Sequence, residues 1–248
     1  MKKLICLVAL LATAVLMSAQ DKAAAPKEPN KNVISMYRVF PKPGHDAALR
    51  AAITAHAQKY HTTWKWRVYE VMTGADGGSY QIVEGPDSWT GFDDRGDLGA
   101  DHMADYENNV APHIEKSTPE SYLTYKAELS TVAVGAFSTK ALITRAFVKP
   151  GRGPATEESL KKWKAVWEKR GVNVVVYASS YSGAPGYSIV RRLKNGLKDL
   201  DTDAMSNKEA FLAIGGASAW DEINAELAAD VESSSGEIIE LRPELCSK

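Results

Sequence analysis

The chain has 248 residues, of which 44% are hydrophobic and 25% are charged, and its formal net charge is -1. This composition is that of an average globular protein with enough apolar residues for a core, so no disulfide framework is needed. The near-neutral charge excludes a strongly basic nucleic-acid-binding surface, and no block of like charge indicates a membrane surface.

Residues 1–19 have the layout of a bacterial secretory signal peptide. Two lysines precede an uncharged apolar run over 4–17, and small residues follow it. The run is too short to span a bilayer comfortably. We therefore predict that the mature chain begins near Gln20, keeps no membrane attachment, and lies in the periplasm or outside the bacterial cell. Residues 20–32 are polar, small and proline-bearing, which predicts a flexible leader.

An internal repeat is the most informative feature of the sequence. The segments RVFPKPG at 38–44 and RAFVKPG at 145–151 are identical at five of seven positions. The displacement along the chain that relates these two segments also carries YQIV at 80–83 onto YSIV at 187–190. Because two separate matches share one displacement, we predict a duplicated unit of domain size rather than a short solenoid module.

Each copy has the same predicted order of elements, β-α-β-β-α-β. Apolar and β-branched runs that end at Pro-Gly turns predict the first strands, and apolar residues at helical spacing predict the helices that follow. In the first copy we predict strands over 33–40, 65–72, 79–84 and 122–129, and helices around 49–60 and over 99–115. In the second copy we predict strands over 141–148, 172–181, 186–192 and 237–241, and helices around 156–167 and over 208–230.

This order of elements is that of the ferredoxin-like split βαβ arrangement, an antiparallel sheet with both helices on one face. We predict an α+β protein with a first repeat over 33–132 and a second repeat over 141–243. The free faces of the two sheets are expected to cover each other, which gives a pseudo-dimeric α/β barrel within one chain.

A first strand that ends in Lys-Pro-Gly and enters a helix, within a repeat of about a hundred residues, resembles the dimeric α/β-barrel superfamily. Antibiotic-biosynthesis-monooxygenase-like and NIPSNAP-like domains belong to it. The resemblance implies a choice among cofactor-free oxygenases, haem-degrading enzymes, haem peroxidases and small proteins without assigned activity. Haem is thus the one cofactor that the resemblance raises, and the sequence itself indicates none.

The histidines all lie in the first copy, at His45, His56, His61, His102 and His113. The first three are spread along one predicted helix and its ends. The other two would lie about 16 Å apart along the second helix, at 1.5 Å per residue. Since no pair has the i, i+4 spacing or the Cys/His clustering of a zinc site, we predict no shared metal site.

Strand residues on the face away from the helices are the candidates for a ligand pocket. Alternation places Arg38 and Phe40 on that face, with Arg145 and Phe147 as their equivalents. For the second strand of each copy, the constant offset between the copies matches Val68 with Val175. The predicted pocket consists of Arg38, Phe40, Trp66, Glu70, Arg145, Phe147 and Tyr177. A one-residue shift in register would exchange the two faces of a strand.

The role of the two arginines is open at this point. Arg38 can pair with Glu70 and seal the interface, or both arginines can serve a pocket. Because Tyr177 stands at the position of Glu70 in the second copy, we predict that Arg145 is the less satisfied arginine and the better anchor for an acidic ligand group.

Three functions are consistent with these features. The first is an exported binding protein for a small apolar or aromatic ligand. The second is an enzyme of the same superfamily, either a cofactor-free monooxygenase or a haem-binding or haem-degrading protein, for which Glu70, Tyr177 and Tyr187 are the candidate catalytic residues. The third is a structural interaction protein whose sheets close without a cavity. The sequence does not specify an oligomeric state.

Overall fold

The computed structural model describes residues 29–96, 98–201 and 204–248. The predicted signal peptide lies outside these residues. Within them the protein is a mixed α+β structure built around an antiparallel barrel. Its strands are β1 (Val33–Pro41), β2 (Arg67–Val71), β3 (Tyr80–Asp87), β4 (Ile114–Ser117), β5 (Ser121–Tyr125), β6 (Lys140–Val148), β7 (Asn173–Ser180), β8 (Gly186–Leu193) and β9 (Val231–Leu241).

Eight of these strands close the barrel in the order β3-β2-β9-β6-β8-β7-β5-β1, and the pairing of β1 with β3 completes the circle. The short strand β4 adds to β1 outside the circle. The two halves of the chain contribute strands in the same spatial order, with the last strand beside the first, then the third, then the second. The halves join where β2 pairs with β9 and where β5 pairs with β7.

The helices lie outside the barrel and cover it. They are α1 (Asp46–Tyr60), α2 (Trp89–Arg95), α3 (Ala100–Asp105), α4 (Gly153–Arg170), α5 (Lys198–Asp201), α6 (Asn207–Gly215) and α7 (Ala219–Asp230). None of the helices in the described part of the chain has both the length and the apolar character that crossing a membrane requires.

Two predicted helices are divided in the structure. The region 99–115 consists of α3, a π-helical turn over Tyr106–Val110 and a 3₁₀ turn over Ala111–His113. The region 208–230 contains α6 and α7, separated at Gly216, whose positive φ of 86° ends α6. A proline at position 112 and a glycine with positive φ each prevent a regular α-helix from continuing.

Three apolar layers hold the structure together. The barrel interior is packed by side chains from both halves, among them Met36, Ile143 and Val190. A second cluster fills the space between the sheet and α1, around Leu49 and Ile53. A third cluster lies between the sheet and α4, and a smaller one joins α4 to α6 and α7.

The register of β2 differs by one residue from the prediction. Tyr69 pairs with Gln81 in the first half, and Tyr177 pairs with Ser188 in the second half. Gln81 and Ser188 are equivalent positions of the repeat. Tyr177, however, lies one residue further along the chain than the repeat predicts for the counterpart of Tyr69. Tyr69 is therefore the counterpart of Tyr177, and both side chains point into the barrel. The predicted match of Val68 with Val175 is wrong, because Val68 packs toward α1 whereas Val175 lies inside the barrel.

Candidate functional site

The barrel interior, where the pocket was predicted, is largely filled. Its apolar side chains leave a cavity of about 40 Å³ near Tyr69 and Tyr177. A second small cavity, of about 160 Å³, lies beside Arg145 and Phe147. Neither has the several hundred Å³ that a drug-sized ligand needs.

Arg38 is the centre of a charged network inside the barrel. Its guanidinium donates hydrogen bonds to Gln81 Oε1 at 2.8 Å, to Asp76 Oδ2 at 2.7 Å and to both carboxylate oxygens of Glu237. The predicted pairing of Arg38 with Glu70 is wrong. Glu70 lies on the outer face of β2, where it accepts a hydrogen bond from Arg242 Nε at 2.7 Å.

Arg145 shares its partners with Arg38. It donates to Glu237 Oε1 at 2.8 Å and to Gln81 Oε1 at 3.3 Å, and its other terminal nitrogen lies 3.3 Å from Ser188 Oγ. Burial lowers the pKa of Arg145, and the positive charge of Arg38 lowers it further. Burial also acts to lower the pKa of Arg38, but its hydrogen bonds to Glu237 and Asp76 outweigh burial and raise it. Arg145 is therefore the less satisfied arginine, although the reason is the sharing of Glu237 rather than the presence of Tyr177.

The other predicted pocket residues are dispersed. Trp66 packs toward α1 on the outer face of the sheet, because the register of β2 is shifted, and its Nε1 donates to Glu84 Oε1 at 2.7 Å. Phe40 lies under Lys116, whose ammonium is 4.3 Å from the ring centroid. Phe147 is 37% exposed beside the 160 Å³ cavity.

The three candidate catalytic residues do not form one site. Glu70 lies on the outer face of the first half, in the ion pair with Arg242. Tyr177 is buried inside the barrel, and burial raises its pKa. Tyr187 lies on the outer face of the second half, where burial raises the pKa of its hydroxyl, which is 3.1 Å from Glu157 Oε1.

A larger cavity lies elsewhere, between the second-half sheet and α4. Its volume is about 580 Å³, within the range of small-molecule sites. The floor comes from the outer faces of β6, β7, β8 and β9, and α4 and α7 form the walls. The lining includes Leu142, Thr144, Leu160, Trp163, Trp167, Val174, Ile189 and Leu227. We refer to this space as the α4 cavity.

A few polar groups interrupt the apolar lining of the α4 cavity. Arg170, Arg191, Glu232 and Asn207 line it together with several serine and threonine side chains. Arg170 is held in place by hydrogen bonds to Met205 O at 2.8 Å and to Asn207 Oδ1 at 2.5 Å. An apolar space with a small number of fixed polar groups is typical of a site that binds and orients an organic molecule.

The sequence contains one signal for this cavity, which lies in the comparison of the two copies. In the alignment of the repeats, Thr144 stands where the first half has Tyr37, and Trp163 stands where it has His56. Tyr37 packs against Trp66 with ring centroids 6.2 Å apart, and so fills its layer. The smaller and exposed Thr144 leaves the corresponding space open.

Haem does not fit the α4 cavity. The residues that line it within the described chain include no histidine, cysteine, methionine or tyrosine, the side chains that usually provide an axial ligand to haem iron. The five histidines lie in the first half of the chain. We therefore derive no chemistry through haem.

Three of the histidines meet on the outside of the first half. His56 on α1, His61 directly after α1, and His102 on α3 bring ring nitrogens within 4.8 Å of one another. The prediction that the spacing of the histidines keeps them apart is wrong. The chain turns after Tyr60, so His61 folds back toward His56, and α3 brings His102 to the same place. His45 and His113 form a separate exposed pair, with Nδ1 atoms 3.0 Å apart.

Comparison with known proteins identifies the fold. No family model and no curated protein matches the sequence. Among solved structures, a provisionally assigned monooxygenase from Lactobacillus acidophilus superposes with a TM-score of 0.54 at 11% identity, covering 88% of this chain and 97% of that one. An anthrone oxidase-like protein superposes with a TM-score of 0.54 at 12% identity, covering 86% and 92%.

A variant of the chlorite dismutase from Candidatus Nitrospira defluvii is also similar, with a TM-score of 0.52 at 8% identity and coverage of 86% and 92%. At such identities the similarity establishes the fold and leaves the activity open. The finer resemblance to antibiotic-biosynthesis-monooxygenase-like or NIPSNAP-like domains stays a prediction. The chain has a dimeric α/β-barrel fold, which it shares with these monooxygenase-like and chlorite dismutase structures.

Proposed function

We propose that the protein is an oxygenase-type enzyme that takes a largely apolar, ring-containing molecule into the α4 cavity. The observation that carries this proposal is the cavity itself, which has a volume of about 580 Å³ and two tryptophans in its lining. The names of the fold neighbours, a monooxygenase and an anthrone oxidase-like protein, support oxidation as the reaction class. The barrel interior is too full for this role.

The lining suggests how such a substrate would be held. Trp163 and Trp167 lie with ring centroids 6.1 Å apart and offer flat apolar surface to a planar ring. Arg170 and Arg191 outnumber Glu232 at the lining, and positive charge there favours the ionised form of a phenol or enol oxygen. A substrate in its anionic form is more electron-rich and more easily oxidised, so these side chains would bind, orient and ionise it.

A substitution that fills the cavity tests the proposal. Thr144→Tyr introduces the residue that the first half has at the equivalent position, and Ile214→Tyr places the same ring on the exposed surface of α6 as a control. We expect anthrone to quench tryptophan fluorescence and to be oxidised with uptake of dioxygen by the wild type and by Ile214→Tyr, but not by Thr144→Tyr. Binding without turnover would reduce the proposal to a binding protein, and equal behaviour of both variants would contradict it.

We also propose that the two halves are tandem copies of one ferredoxin-like unit and that the protein is exported. The shared strand order and the repeated RVFPKPG and RAFVKPG segments support the first statement. The lysine start and the apolar run at 4–17 support the second. N-terminal sequencing of the protein from a bacterial host should give a start near Gln20, and retention of Met1 would contradict export by cleavage.

A further inference from the structure

The three histidines outside the first half are arranged like the ligands of a metal ion. His61 Nε2 and His102 Nε2 lie 3.3 Å apart, and a ring nitrogen of His56 completes a group within 4.8 Å. Zinc–nitrogen bonds of about 2.0–2.1 Å place two tetrahedral ligands about 3.3–3.4 Å apart. The distance between His61 and His102 is therefore that of two ligands on one ion.

The second nitrogen of two rings is already engaged. His56 Nδ1 lies 2.7 Å from Asp105 Oδ2, and His61 Nδ1 lies 3.1 Å from the carbonyl oxygen of Trp64. Because both acceptors require a proton on Nδ1, both neutral rings keep a lone pair on Nε2, and the Nε2 atom of His61 lies beside that of His102. Carboxylate or carbonyl acceptors behind the ring are the usual support of a metal-binding histidine.

His56 Nε2 has no hydrogen-bond partner among the described residues, although the side chain is only 1% exposed. A buried nitrogen without a hydrogen-bond partner is unfavourable. A cation at the centre of the group would provide that partner.

We propose that His56, His61 and His102 bind one divalent transition-metal ion, with zinc or copper as the best match to three imidazole ligands. Three histidines leave a fourth position for water or for an exogenous ligand. This site lies in the first half of the chain, so it goes beyond the enzyme function proposed for the α4 cavity and does not depend on it.

The surroundings of the histidines suit a charged ion. Asp105 and Glu84 place two carboxylates at the histidine Nδ1 atoms, with Glu84 Oε1 3.2 Å from His61 Nδ1. Glu84 is buried and is positioned by Trp66 and by Arg95. The indole of Trp66 stacks on His61 at 3.9 Å between ring centroids and holds that ring in place. A bound metal would tie α3 to α1 and so stabilise the fold.

The test uses the mature chain, freed of metal with a chelator and then titrated with Zn²⁺ in a calorimeter. We expect one equivalent to bind and the melting temperature to rise. His102→Gln should weaken this binding by about 100-fold or more, and Asp105→Asn, which weakens the hydrogen bond behind His56 and replaces no proposed ligand, by about 10–100-fold. Melting of the metal-free variants shows whether each of them is folded.

The exposed pair of His45 and His113 offers the matched control. The double variant His45→Asn/His113→Asn removes two histidines that are close in space but lack a buried setting, and it should keep full Zn²⁺ affinity. Loss of the high-affinity equivalent in this control, with retention in His102→Gln, would overturn the proposal. Failure of the folded wild type to bind one equivalent would do the same. Co²⁺ added in place of Zn²⁺ should give the intense visible absorption of a tetrahedral site in the wild type and not in His102→Gln.

Discussion

The space between sheet and long helix is filled in the first half of the molecule and hollow in the second. In the first half, Tyr37, Trp66 and His56 occupy it. In the second half, Thr144 and Trp163 stand at the positions of Tyr37 and His56, and a cavity of about 580 Å³ remains. Two layers with the same strand order thus hold different chemistry, because a few side-chain replacements decide whether the layer is solid or open.

The barrel interior shows the opposite behaviour, since the two halves contribute equivalent arginines to one shared network. Arg38 and Arg145 both bind Glu237, and each lies opposite a polar residue of the neighbouring strand. The interior therefore joins the halves, whereas each outer layer is free to carry a separate function.

The largest expected effect concerns this network. Arg38→Met removes the guanidinium that Glu237, Asp76 and Gln81 share, and we expect it to lower the free energy of unfolding by about 3–5 kcal/mol. Arg145→Met should cost less, about 1–3 kcal/mol, because Arg38 continues to neutralise Glu237. Urea unfolding of both variants measures the difference. Equal losses would show that the two arginines contribute equally to stability. A ligand that is lost only in Arg145→Met would indicate that the small cavity beside Arg145 binds an acidic group.

A smaller difference is expected between the two outer layers. Ile53 on α1 is fully buried in the filled layer, and Leu160 is its counterpart on α4 beside the cavity. We expect Ile53→Ala to destabilise by about 3–4 kcal/mol and Leu160→Ala by about 2 kcal/mol, since side chains next to a void lose fewer contacts on truncation. Equal values would contradict an open second layer.

The smallest effect is a dependence on pH. Burial raises the pKa of Glu237, but the hydrogen bond from Arg38 and the charges of Arg145 and Arg38 outweigh it, so the net pKa is lowered. A lowered pKa means that Glu237 stabilises the fold above its unfolded pKa of about 4.3 and loses that contribution as the pH falls toward the folded value. Glu237→Gln should therefore show a shallower fall of unfolding free energy below about pH 4 than the wild type. Parallel curves would argue against the network.

A large part of the fold could be predicted from the sequence because the same pattern of strands and helices occurs twice. The order of elements along each half, the inward direction of Arg38 and Arg145 and the presence of both long helices follow from periodicity and from the Pro-Gly turns. The prediction assigned the wrong face of β2 to the barrel interior. The second half has one extra residue before β7, so the constant offset of the repeat matches inward residues of β7 with outward residues of β2. The divided helices at 99–115 and 208–230 depend on single proline and glycine positions.

The candidate sites were harder to predict because both depend on what distant segments do together. The meeting of His56, His61 and His102 requires a chain reversal after Tyr60 and the placement of α3, neither of which follows from spacing within one helix. The α4 cavity forms because a small side chain of the sheet, Thr144, lies below the large side chains of α4. A pattern read along one segment does not contain such information.

Native mass spectrometry of the purified protein tests the central claim most directly, that the two outer layers carry separate sites. The wild type, His102→Gln and Thr144→Tyr would each be loaded with Zn²⁺ and with anthrone. The account predicts that His102→Gln loses the metal and keeps the small molecule, and that Thr144→Tyr keeps the metal and loses the small molecule. Loss of both ligands from one variant, or retention of both in either variant, would contradict it.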